Sequence, residues 1–429
     1  MKRAFILCSL LMALVLAALP SGAQDAQSDE HVLLQMLSMI PDTPVAFEGI
    51  PLVSYIDYRA LEQARPGVPT YENWNEWRAS QDSKEDSGAL WVVNSFRINN
   101  GPQLFRYLTM GNETPELVGF DLFDVDHALT FGAPPSAGNV LAGEFDAEAI
   151  ERAFVARDYD ASEQDDVLLL RRSDGREGTT TDLRNRNPAN PLGGDLGRQE
   201  PVAVGDGFIL NSPDDELWEA MVAAYQGEQR ALLDRPSIAA AAEAITQQDM
   251  LLVQAAFLDP SDVVVASFDP AILLEMTPGA ELDASMLTPQ AVRNYGTLPL
   301  YTMSVLADLQ DGEDQVALVA LVYDSEDEAR QAAEEMTTRL ALFRNEHRDM
   351  PEPLMDTVEG ARTDEPDVFF SEATGKYVAL ASVRYPMPDN AREKMETGEP
   401  GPFKLSGVLY RDWINALYAR AFDVLAVIE

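Results

Sequence analysis

A chain of 429 residues with 46% hydrophobic and 8% aromatic side chains carries enough apolar surface for a sizeable core, which excludes global disorder. Its formal net charge of -41 opposes binding to nucleic acid or anionic lipid, because phosphate neutralisation needs the opposite sign. The single cysteine, Cys8, lies in an N-terminal apolar run that reads as a cleaved signal, so thiolate catalysis, cysteine zinc sites and iron–sulfur clusters are excluded from the mature chain.

That signal is read over residues 1–23: Lys2 and Arg3, an apolar run from Ala4 to Leu19, Pro20, and the small residues Ser21, Gly22 and Ala23 as a cleavage site. The expected mature protein is exported, secreted or periplasmic, without a stable membrane span. Loss of Lys2 and Arg3 removes two positive charges from -41, giving -43. The acidity reads first as a solubility device, with diffuse capture of divalent cations and docking to a basic partner as alternatives.

In chain order, residues 31–40 read as a short helix ended by Pro41, and residues 45–58 as an edge or irregular strand because Pro44 and Pro51 frame it. Aromatic segments follow around Trp74 and Trp77 and around Trp91 and Phe96. Residues 102–110 predict a helix with Pro102 at its start and Gly111 beyond its end, and Thr114-Pro115-Glu116 opens another. Residues 128–159 give a strand, a Pro-Pro turn, a second strand and a helix capped by Asp146. Further strands fall at 167–170 and 201–210, a helix begins at Ser212 with Pro213 as its first residue, and an alanine-rich helix covers 236–245.

The second half opens on an apolar run at 250–258 and passes through a Pro-rich acidic region to Pro299. Residues 301–343 then repeat the strand, turn, strand and helix grammar, with Asp308 to Asp314 read as a hairpin turn and Ser325 with Glu328 as a capping box. A hairpin around Thr374-Gly375 and a C-terminal helix carrying Leu409, Trp413 and Leu417 follow. The expected class is therefore α+β, in two similar lobes at 24–247 and 248–429. Each has a largely antiparallel sheet with helices on one face, and an internal duplication is expected.

No catalytic or cofactor motif stands out, and no cofactor is expected. There is no Gly-x-Ser-x-Gly elbow, phosphate loop or dinucleotide fingerprint. Asp121, Asp124 and Asp126, beside His127, are the densest set of hard ligands. Calcium could use such groups, but the calcium-loop spacing is missing and a solvated acidic segment is the simpler reading. Arg171, Arg172, Arg176, Arg184 and Arg186 invert the local charge in a long irregular loop. They are candidates for binding an anionic small molecule or an acidic extracellular protein surface, against pairing with the protein's own acids. The function expected is a non-catalytic binding or scaffold protein of the bacterial envelope exterior; the alternative is a carboxylate-dependent extracellular hydrolase with its site between the lobes.

Overall fold

Long apolar runs decide the architecture. The computed structural model describes residues 31–47, 52–65, 68–82, 91, 95–98, 104–260, 298–344, 352–387, 406–419 and 422–426, and from Val32 onward they belong to one unit. The first half contributes strands β1 (Val53–Asp57), β2 (Val125–Ala133), β3 (Ser136–Gly143), β4 (Tyr159–Gln164), β5 (Val167–Arg172), β6 (Val202–Gly205) and β7 (Phe208–Asn211). The second contributes β8 (Leu251–Leu258), β9 (Ser304–Asp311), β10 (Asp314–Tyr323), β11 (Arg362–Thr363), β12 (Asp367–Ser371) and β13 (Lys376–Pro386). All pair antiparallel in one sheet ordered β11-β13-β10-β9-β8-β1-β2-β3-β7-β6-β5-β4, with β12 also on β13.

Among the described residues the helices are α1 (Val32–Leu37), α2 (Tyr58–Gln63), α3 (Trp74–Asp82), α4 (Thr114–Val118), α5 (Ala147–Val155), α6 (Asp215–Tyr225), α7 (Pro236–Thr246), α8 (Glu326–Leu342) and α9 (Val408–Tyr418). The α+β class with an antiparallel sheet is thus observed, but the helices cover both faces instead of one. Successive strand residues point to opposite faces, so runs such as β9 and β10, buried at nearly every position, need cover above and below. Val305, Ala307 and Leu309 belong to one continuous core with Met36 of α1, Trp218 of α6 and Ile238 of α7. Leu306, Ala317 and Val319 pack with Met336 of α8 and Trp413 of α9 on the other side. Ile150 and Phe154 of α5 cover Leu141, Leu170 and Ile209 in the first half.

One sheet runs through both halves. The strand expected at an edge, β1, lies between β2 and β8, its ladder beginning at Val53, after both Pro44 and Pro51 in the chain. The strand, strand, helix order recurs as β2, β3, α5 and β9, β10, α8, which is a likeness of order and does not establish duplication. Residues 1–30 and the acidic stretch 261–297, including the expected signal, lie outside the described residues.

Local signals map closely to several elements. Asp146 caps α5 by accepting from the Glu148 and Ala149 amides, and Ser325 caps α8 by accepting from Glu328. Two differ. The α6 cap is Asp214, because Ser212 instead donates to the Ala137 carbonyl. The predicted helix at 102–110 is a 3-10 helix, Leu104–Glu113, and Gly111 serves a neighbour instead of a helix end. A Cβ there would lie 2.3 Å from Cδ1 of Trp74, whose indole N–H donates to the Leu108 carbonyl at 2.6 Å. Gly111→Ala is therefore expected to lower stability by about 1 to 3 kcal/mol in urea denaturation, the usual cost of overpacking.

Candidate functional site

The ends of β1, β2 and β3, together with α2 and the aromatic segments, enclose a cleft of about 410 Å³. Local chemistry places each wall. Asp57 ends β1 and caps α2, its carboxylate accepting from the Ala60 amide at 2.7 Å, and the helix so started presents Arg59 and Glu62 to the cleft. The β2–β3 ladder shifts register between Val125 and His127, a bulge that re-aims Asp126 toward the Arg59 guanidinium, 2.5 Å away. Gly143 allows the strands to close there, since a Cβ would meet the Asp124 carbonyl at 1.9 Å, and the next residue, Glu144, donates its amide to that carbonyl.

Three aromatic rings form another wall. Tyr71, Trp91 and Phe123 pack with centroids 5.4 to 6.3 Å apart. Trp77, 6.1 Å from Trp91, supports them from the buried side. The Trp91 indole N–H donates to Glu62 at 3.4 Å. Trp218 and Trp413 are buried in the two large cores.

The electrostatics follow from desolvation and crowding. Burial pushes the Glu62 carboxyl up, against the indole hydrogen bond that favours its ionised form. Asp124 is pushed up by burial and then by Asp121, Asp126 and Glu144. Behind the cleft, burial raises Asp57 from 3.8 to about 7, with Asp126 adding to the effect. Asp57 lies 3.5 Å from Nδ1 of His127, which also meets the Tyr55 hydroxyl at 3.0 Å.

Of the sequence candidates, Asp124 and Asp126 line the cleft and Asp121 stands next to it. Asp121 accepts from the Trp74 and Phe123 amides, and Asp124 accepts from the Asp121 amide. Among the described residues no three His, Asp or Glu side chains converge as metal ligands. The arginines divide. Arg171 and Arg172 are successive strand residues and point to opposite faces: Arg171 pairs with Glu219 at 2.8 Å over the Trp218 ring, while Arg172 and Arg176 share Asp174. Arg184 and Arg186 are exposed further along the loop. That loop folds on itself, with Asp182 bonded to Leu196, Asn187 to Gly194, and the Thr114 hydroxyl donating to the Ala189 carbonyl.

Sequence reasoning singled out Asp124 and Asp126 and noted an aromatic segment around Trp91, but missed Arg59, Glu62, Tyr71 and Phe123.

No family model matches the chain, and no curated protein is similar to it. Three crystal forms of TP0453 resemble it at 6% identity. Form I aligns 90% of this chain with 97% of that one at a TM-score of 0.32, and form III aligns 81% with 92% at 0.28. Form IV aligns 80% with 91% at 0.27. Likeness at this level carries no argument. No helix among the described residues is long and apolar enough to cross a membrane.

Proposed function

We propose that the protein is an exported, non-catalytic binding protein acting at the outside of the bacterial envelope, with its ligand in the cleft at the ends of β1, β2 and β3. The observation that carries this reading is a shaped hollow with an aromatic wall, in which Asp124 accepts from the backbone and Asp126 pairs with Arg59. The basic start, apolar run and small-residue site of residues 1–23 support export.

A carboxylate-dependent hydrolase acting on an extracellular polymer is the second reading, and one observation favours it. Glu62, pushed toward its protonated form, shares the cleft with Asp126, which faces a guanidinium, and glycosidic cleavage uses an acid and a carboxylate side by side. Such a site would be built from residues 58–144 and not from the junction of the two halves. The test is a screen of purified residues 24–429 against chromogenic glycosides and soluble polysaccharides. The expected result is no turnover beyond that of Glu62→Gln. Turnover that disappears in both Glu62→Gln and Asp126→Asn would establish the hydrolase instead.

A further inference from the structure

We infer that the cleft binds a small organic cation, an ammonium or guanidinium group carried on an apolar body, an assignment that rests on the binding reading above. The lining combines two features that recognise such a group. Tyr71, Trp91 and Phe123 offer aromatic surface, whose negative ring faces attract a desolvated cation. Around them stand carboxylates in excess: among the described lining residues, Glu62, Glu72, Asp124, Asp126 and Glu144 face the single guanidinium of Arg59. Arg59 is already paired with Asp126 and reaches Glu144 at 3.8 Å.

Among the described residues, polar groups of the lining keep unused hydrogen-bonding capacity. The Tyr71 hydroxyl oxygen is buried and has no hydrogen-bond partner among the described residues. Glu62 takes the Trp91 indole on one oxygen, and its other oxygen carries no hydrogen bond among the described residues. Burial raises the carboxyls of Glu62 and Asp124 and the neighbouring acids add to it, the part that an entering cation would offset. The field of the whole acidic chain concentrates cations in the same direction.

An inorganic ion fits less well. Calcium takes about 6 to 8 oxygen ligands, whereas one wall here is aromatic and no three acids among the described residues converge. The volume of about 410 Å³ falls in the range of pockets for small molecules and far exceeds a bare ion.

The test is calorimetric titration of residues 24–429 with phenyltrimethylammonium, with agmatine, and with 3,3-dimethylbutan-1-ol as an uncharged control. The cations are expected to bind about tenfold or more tightly than the alcohol, an advantage that sodium chloride reduces. Glu62→Gln should weaken cation binding about fivefold or more, and Tyr71→Phe should weaken agmatine, which can donate to the hydroxyl, more than phenyltrimethylammonium, which cannot. Unchanged thermal unfolding of both variants shows that the fold is intact. Equal binding of the alcohol, or cation binding indifferent to Glu62→Gln, overturns the inference. Binding of a neutral oligosaccharide that quenches tryptophan fluorescence, without any cation response, also overturns it and leaves the binding reading standing. Polysaccharide turnover overturns that reading itself.

Discussion

Replacing Arg97 by alanine is expected to destabilise the protein by about 3 to 5 kcal/mol, the cost of leaving one partner of a buried ion pair alone. Arg97 and Asp308 have no exposed side-chain surface. The guanidinium donates to Asp308 at 2.9 and 2.7 Å, to the Gln310 side chain at 2.7 Å and to the Leu309 carbonyl at 2.9 Å. Gln254 completes the set by donating to Asp308 and to the Arg97 carbonyl. Without Arg97 the buried Asp308 retains, among the described residues, the Gln254 amide against the loss of hydration. The double change Arg97→Met with Asp308→Leu removes both charges and should cost much less than the sum of the single changes, since apolar groups of similar volume replace buried pairs at little cost. Urea denaturation of the four proteins measures this. A single-site cost below about 1 kcal/mol would mean that residues 95–98 do not dock against β9 as described.

The second large effect is on the pH dependence of stability. Burial raises Asp57 from 3.8 and Glu200 from 4.5, each to about 7. A carboxyl raised in the folded state holds its proton more tightly than in the unfolded chain. The stabilisation is therefore fully present below about pH 4 and is lost as pH rises to about 7. The two shifts correspond to about 3 to 4 kcal/mol per group at most, so stability should fall with pH across this window. Asp57→Asn keeps an oxygen for the Ala60 amide while removing the charge. It should match the parent near pH 4 and exceed it by about 1 to 3 kcal/mol at pH 8, and Glu200→Gln should behave alike. Denaturation midpoints at the two pH values decide it. A variant less stable than the parent at pH 8 would show that the carboxylate is stabilised by its surroundings.

The sequence was most informative where burial was simplest. The apolar runs at 250–258 and 301–323 and the caps at Asp146 and Ser325 are local signals, and they led directly to β8, β9, β10, α5 and α8. β4 carried no such signal: after Tyr159 each of its residues is exposed, so the strand is held by its β5 ladder and not by apolar alternation. The helices on both faces were implied by runs without alternation, but the short turns between strands drew attention to antiparallel pairing alone. Asp308 was grouped with a turn because acids follow it. Its partner, Arg97, lies 211 residues earlier, and no local pattern links them. The cleft was hidden for the same reason, because α2, a bulge in β2 and the end of β3 meet only after the sheet has formed.

The place of β1 sets an order on assembly. Its β2 partner lies in the first half, whereas the partner on its other side, β8, lies nearly two hundred residues further along. Until β8 pairs, a fully buried strand presents a bare row of amides and carbonyls, the surface most open to a wrong partner. Each half therefore shields the other from aggregation, and a chain cut at residue 247 would carry its most adhesive edge uncovered.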